Sequence, residues 1–358
     1  MNEYHTNSLS MTKATELLKR VQPYEFVVIV THDTPDADGI AASWAIKLLI
    51  DEESNCDTRV IAGGEILRSE NRRLLELLEP PIELLEEYFV VSNVALIFVD
   101  CEPTSSRHLM ETQLFDPVAV IHHHALPNTD VTSAHRPIVD IRTKVSSASA
   151  IAASYLIELG IEPGEKLATA LLHGLRSETR GCNPSYEAFD RSVLEWLMTR
   201  ANLSMLGDIE NAPLPREYFG DFVHALQSCT IHGDTAFCML PHASCPETIG
   251  EVADLLVRLE GLNRVLCAAT HNHRVLLSAR TEPGGGNATR LLQQTIDRLG
   301  LAAGHTYRSS AMLSETSDDS HLTKSLPDEL LTKWLKACDV HEVEGTKLVK
   351  RDEAKGMQ

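Results

Sequence analysis

Short apolar runs alternate with helix-like stretches along the first half of the chain. Residues 26–30 (Phe-Val-Val-Ile-Val), 94–99 (Val-Ala-Leu-Ile-Phe-Val) and 118–121 (Val-Ala-Val-Ile) are uninterrupted apolar runs, as expected of strands buried in a parallel sheet. Residues 58–62 read as a further strand, ending at Gly63-Gly64. Between the strands lie an amphipathic stretch at 11–21, an Ala/Leu/Ile-rich stretch opening at Ile40, and a Leu- and Glu-rich stretch at 65–88. The last of these is broken by Pro80-Pro81, which predicts two helices. Residues 146–159 form a Ser-initiated helix with Gly160 just past its end, and 168–175 continue in helical fashion. Strands alternating with helices predict an α/β fold with a doubly wound parallel sheet.

The polar residues that break this pattern fall at strand ends. After the first strand, His32, Asp36 and Asp38 lie within seven residues, just before the helix that opens at Ile40. The carboxyl ends of strands are where open α/β sheets place their ligands. Imidazole mixed with carboxylate suits manganese or a similar divalent metal. The plainer reading is a solvated loop whose aspartates cap the next helix. Asp100 stands at the end of the 94–99 strand, where a turn or capping role is the alternative. His122-His123-His124 follow the 118–121 strand directly. A lone histidine is more often a core residue than a ligand. Three in a row, after two acidic strand ends, point to a metal site.

Length and composition narrow the class. A chain of 358 residues exceeds one ordinary core, so two domains are expected. Its 43% hydrophobic and 23% charged content is that of a globular protein. No apolar stretch is long enough for a membrane span, and the N-terminus lacks a basic-then-apolar signal pattern. The cysteines are scattered with no C-x-x-C pair, which reads as reduced thiols and a cytoplasmic location. A net charge of −19 argues against gripping long duplex nucleic acid by its phosphates, though not against a short anionic substrate.

The first domain is read as residues 11–200, with a connecting segment at 201–216 and a smaller C-terminal α/β domain at 217–315. Within that second domain lie Val275-Leu276-Leu277-Ser278-Ala279-Arg280, the glycines 284–286 and Ala302-Ala303-Gly304-His305. A polar tail at 316–358 carries a short amphipathic helix at 323–338.

In their order, these motifs resemble the DHH phosphoesterase family. The family's H-x-x-P-D-x-D is matched in full by His32, Pro35, Asp36 and Asp38, and its strand-end aspartate by Asp100. The D-H-H that names the family corresponds to His122-His123-His124, with histidine in place of the aspartate. Its G-x-x-[ST]-D-T appears as Gly174-Leu175-Arg176-Ser177-Glu178-Thr179, with glutamate for aspartate. The family's C-terminal substrate domain, with S-x-R and G-G-G-H, resembles Ser278-Ala279-Arg280 and Gly304-His305.

The resemblance implies a metal site in the cleft between the two domains, holding two manganese ions per chain, with magnesium or cobalt as substitutes. His32 and Asp36 would hold one ion, Asp38, His123 and Glu178 the other, and Asp100 would bridge them. His124 would contact the scissile phosphate or donate a proton. Arg280, Gly304 and His305 would bind the far phosphate or terminal nucleotide. Two such ions activate a water and clamp the phosphoryl oxygens. The implied activity is hydrolysis of short oligonucleotides or nucleotides, as by a nano-RNase or 3′-phosphoadenosine-5′-phosphate phosphatase. Hydrolysis of dinucleotide second messengers is the neighbouring alternative, and a homodimer is admitted. Because His122 and Glu178 depart from the motifs, a non-hydrolysing nucleotide-binding protein is the rival reading.

Overall fold

The computed structural model describes residues 12–88, 93–104, 108–110, 117–124, 137–179, 187–271, 274–297, 299–300, 302–304, 307–314, 322–341 and 344–349. The chain divides into two units, Met1–Ala212 and Pro213–Gln358.

The first unit runs α1 (Lys13–Val21), β1 (Phe26–Val30), α2 (Ala37–Glu53), β2 (Asp57–Gly63), α3 (Ser69–Leu78), β3 (Ile82–Leu85), β4 (Val94–Val99), β5 (Ala119–His122), β6 (Ile138–Ile141), α4 (Ala148–Leu159), α5 (Gly164–Glu178), α6 (Ala188–Met198) and α7 (Leu203–Glu210). Its six strands pair in the order β3-β2-β1-β4-β5-β6, every pair parallel. The winding reverses between β1 and β4, which opens a crevice at the carboxyl ends of those two strands.

The continuous apolar runs have their explanation here. Val27, Ile29, Ile97 and Ile121 face the core built by the helices, which includes Leu49, Leu74, Tyr155 and Leu171. Val28, Val30, Leu96, Phe98 and Val120 face the opposite side, where Cys101 and Met110 cover them. A strand buried on both faces has no position for a polar alternate.

Three expectations change. After Pro80-Pro81 the chain forms β3, not a second helix: α3 ends with Glu79 at φ 52, and Ile82–Leu85 pairs with β2. Residues 203–210, expected in a connecting segment, form α7, whose Leu206 and Ile209 join the first core. The four-residue β6 was not anticipated.

The second unit contains α8 (Arg216–Ser228), β7 (Thr230–His232), β8 (Thr235–Leu240), α9 (Thr248–Leu256), β9 (Arg264–His271), β10 (Arg274–Thr281), α10 (Ala288–Ile296), β11 (Ala303–Gly304), β12 (Arg308–Ser314), α11 (Leu322–Ala337) and β13 (Thr346–Lys347). The sheet order is β11-β12-β10-β9-β8-β7-β13, parallel only between β8 and β9. The tail expected to be polar contributes to the core. Leu330, Trp334 and Cys338 pack under the sheet, and the Trp334 indole donates to the Ala236 carbonyl at 3.1 Å. Among the described residues no helix is long and apolar enough to cross a membrane.

Candidate metal centre

The three polar strand ends of the first unit meet beside the β1/β4 crevice. Beyond β1, Asp36 caps α2, its Oδ1 accepting the N–H groups of Asp38 (2.9 Å) and Gly39 (3.0 Å). Asp38 lies in the first turn of α2 and is 1% exposed. Its two carboxylate oxygens accept the N–H groups of Ala148 (2.8 Å) and Ser149 (2.7 Å). Those donors open α4 and have no partner within their helix, so a carboxylate satisfies them and suits the positive end of the helix dipole. Asp100 follows β4 at φ 56, a left-handed conformation that aspartate tolerates better than most residues. His122 ends β5, and His123 and His124 follow it.

Asp100 lies between two donor groups. His32, Asp36 and Asp100 place one ligand atom each within 4.8 Å of one another, and Asp100, His123 and His124 do the same. Asp100 Oδ2 is 3.9 Å from His32 Nε2, while Oδ1 is 3.4 Å from His123 Nε2. His32 Nε2 is 3.8 Å from Asp36 Oδ1, and His123 Nε2 is 3.7 Å from Asp38 Oδ2. All four are longer than the usual span of about 2.7–3.2 Å for an N–H···O hydrogen bond. They are the spacing of neighbouring ligands around one ion, which lie about 3–4 Å apart when each bond is about 2.0–2.6 Å. Mixed imidazole nitrogen and carboxylate oxygen fits a divalent ion such as manganese.

The charges point the same way. Burial, then the negative charges of Asp100, Glu178 and Asp36, push the Asp38 carboxyl well above its usual range. A divalent cation would relieve that repulsion. Burial pushes the His123 imidazole down, so the ring stays neutral and keeps a lone pair to donate. At His32 burial also acts downward, but the hydrogen bond and charge of Asp36, with the charge of Asp100, outweigh it and raise the pKa to about 9. Burial acts upward on Asp36, yet its bonds to His32 and to the N–H groups of Gly39 and Asp38 hold that carboxyl well below the carboxylate range.

Other residues occupy supporting places. His122, which replaces the motif aspartate, sets its Nδ1 3.0 Å from Asp100 Oδ1. The imidazole thus holds the Asp100 carboxylate, a role the motif comparison did not suggest. Glu178 is the last residue of α5, and its charge reaches Asp38. Gly174 lets α5 come close to this point. A Cβ there would lie 2.4 Å from Ser149 Oγ and 3.1 Å from the Asp38 Cα. Gly174→Ala is expected to cost about 1–3 kcal/mol by overpacking and to weaken divalent-ion binding through Asp38. Thermal melts and a manganese titration measure both, and wild-type values in both would contradict this role.

The second unit's expected binding residues are only partly brought together. Arg280 is buried in β10, and its guanidinium pairs with Asp254 (Nε to Oδ1, 2.8 Å). Gly304 lies in β11 at φ 142, where a Cβ would meet the Arg308 carbonyl at 2.3 Å, so glycine is required for this close strand approach. His305 lies outside the described residues. The neighbouring Arg308 was missed. It belongs to no motif, and only the strand register brings it beside Arg280.

Residues 26–175 match the model of the DHH family, N-terminal domain. The uncharacterized protein MJ1633 of Methanocaldococcus jannaschii is 28% identical over 325 residues, covering 89% of this chain and 65% of that protein. A probable manganese-dependent inorganic pyrophosphatase of Streptococcus pyogenes is 26% identical over 182 residues, covering 50% of this chain and 57% of that protein. The chain thus spans less than two thirds of either relative. An exopolyphosphatase-related protein from Bacteroides fragilis shares the fold at a TM-score of 0.69 and 14% identity, covering 91% of this chain and 96% of its own. RecJ from Thermus thermophilus, solved in complex with Mn2+, does so at 0.50 and 13%, covering 92% of this chain and 56% of its own. The family match runs from β1 to near the end of α5 and takes in all three strand ends that meet at Asp100, so the likeness to the DHH family lies within this first unit.

Proposed function

We propose that the chain is a metal-dependent phosphoesterase that hydrolyses short oligonucleotides or nucleotides. The observation that carries this reading is the place of Asp100 between His32 with Asp36 on one side and His123 on the other. One carboxylate between two donor groups is what a paired-ion site requires. In this reading His32 and Asp36 would hold one ion, Asp38, His123 and Glu178 the other, and Asp100 would serve both. Manganese is the metal to try, since the Streptococcus pyogenes relative is named for it and the RecJ structure contains it. When bound, the ions supply charge neutralisation and an activated water.

The chain's own residues prepare that chemistry. The N–H groups of Ala148 and Ser149 orient Asp38 in advance, and His122 orients Asp100. His124, less buried than His123, is assigned to the scissile phosphate or to proton donation. The non-reacting end of the substrate is assigned to the edge of the second unit that carries Arg280 and Gly304, together with His305. Binding there places affinity away from the reacting centre. The net charge of −19 favours short substrates over long duplexes.

The test is an assay with manganese across oligomers of roughly two to five nucleotides, 3′-phosphoadenosine-5′-phosphate, and linear and cyclic dinucleotides, a range that brackets the binding costs of short ligands. Turnover of at least one class supports the reading. Binding without turnover identifies the non-hydrolysing rival. Glu178→Gln is expected to lower manganese affinity and turnover by about 10–100-fold, because the side chain keeps its shape and loses its charge. Wild-type kinetics in that variant would remove Glu178 from the ligand set.

A further inference from the structure

Arg280 and Arg308 face each other across β10 and β12 as register partners. Both donate to one carboxylate. Arg280 reaches Asp254 through Nε (2.8 Å) and Nη2 (3.4 Å), and Arg308 reaches it through Nη2 (3.2 Å). Asp254 thus lies between two guanidinium groups near the carboxyl end of β10.

The two arginines differ in what they have left to offer. The Arg280 side chain is 11% exposed, and its remaining N–H groups go to Ser278 Oγ (2.7 Å), the Ala279 carbonyl (3.0 Å) and the Gly250 carbonyl (3.5 Å). A guanidinium has five N–H groups, so Arg280 is fully engaged inside its own unit. The Arg308 side chain is 24% exposed and gives Asp254 a single N–H. The rest of its fork faces no protein acceptor among the described residues. Gly304 lies against it, since β11 pairs Gly304 with Ser309 and brings the two backbones into contact.

Resting on the phosphoesterase reading above, we infer that Arg308 is the residue that grips the anionic end of the substrate, a terminal phosphate of a nucleotide, with Asp254 and Arg280 as its positioning residues. A planar fork held on one side by a carboxylate presents its free N–H groups in fixed geometry, which matches the paired oxygens of a phosphate. Arg280 keeps Asp254 in place when the ligand arrives and adds a second positive charge behind it.

The experiment uses the full chain with manganese and the variants Arg308→Gln, Arg308→Lys and Asp254→Asn. Its readouts are KM and kcat on a 5′-phosphorylated adenylyl dinucleotide, Kd for adenosine 3′,5′-bisphosphate, and Tm. Arg308→Gln is expected to raise KM and Kd together by about tenfold or more, because a charged phosphate contact well exceeds a surface ion pair. Arg308→Lys restores the charge without the fork and recovers only part of the loss. Asp254→Asn weakens binding less than Arg308→Gln, since the fork remains. If wild type cleaves the dinucleotide and Arg308→Gln matches it in KM and Kd, the inference falls and the phosphoesterase reading stands. A lowered Tm with unchanged Kd makes Arg308 structural and also overturns it, as does an equal loss on bis-p-nitrophenyl phosphate, which carries no nucleotide. If wild type neither binds nor cleaves any nucleotide, the functional reading fails and takes the inference with it.

Discussion

Asp100→Asn is expected to lower kcat by about a thousandfold or more. Such a loss corresponds to about 4 kcal/mol of transition-state stabilisation, within what a metal centre supplies through charge. The substitution isolates that charge. Asparagine accepts the left-handed backbone that Asp100 adopts at φ 56, and its carbonyl oxygen can still meet His122 Nδ1, 3.0 Å from Oδ1 in the native chain. What is lost is the negative charge and one oxygen: Oδ2, 3.9 Å from His32, becomes an NH2 donor, while Oδ1, 3.4 Å from His123, remains only as a neutral amide oxygen. Steady-state kinetics, together with a metal-free melt that matches wild type, measure the effect. A variant that retains more than about one tenth of the wild-type rate, a loss under about 1.4 kcal/mol, would show that Asp100 does not join two ions.

Manganese is expected to raise the melting temperature of the first unit. Ligand present at about 100 times its Kd stabilises the folded form by about 2.7 kcal/mol per site. A unit of this size gains about 2–4 °C per kcal/mol, so each site adds about 5–10 °C. The effect is large because the metal-free fold buries Asp38 in the fields of Asp100, Glu178 and Asp36, and together these push its carboxyl well above its usual range. Chelation reverses the gain, and Asp100→Asn removes most of it. An equal gain in that variant would place the stabilising ions elsewhere.

The strand ends were legible in the sequence because both of their signals are local. A continuous apolar run marks a buried strand, and the polar residue that stops it lies within a few positions. Asp36 was readable as a helix cap or as a ligand, and its geometry allows both: Oδ1 takes two backbone N–H groups and stands 3.8 Å from His32. The anchoring of Asp38 was not legible. Its donors lie 110 and 111 residues away, and the Ser-initiated start of α4 announces a helix N-terminus without naming the anion that meets it. His122 was counted as a lost carboxylate, whereas the structure sets its ring against Asp100.

Misread elements share a cause. Ile82-Glu83-Leu84-Leu85 is too short for its period to separate strand from helix, and pairing with β2 decides it. Trp334 in a charged tail gives no hint of a binding partner, but the second core closes over it completely. Arg308 became visible only through a strand register that aligns it with Arg280.

The central claim is that two divalent ions share Asp100, and electron paramagnetic resonance of the manganese-loaded chain tests it most directly. Two Mn2+ ions about 3.5–4 Å apart are magnetically coupled. The expected result is a coupled spectrum at two manganese per chain, replaced in Asp100→Asn by the six-line signal of isolated ions. Isolated-ion spectra in the wild-type chain at full loading, or the same coupled spectrum in both proteins, would contradict a bridging Asp100.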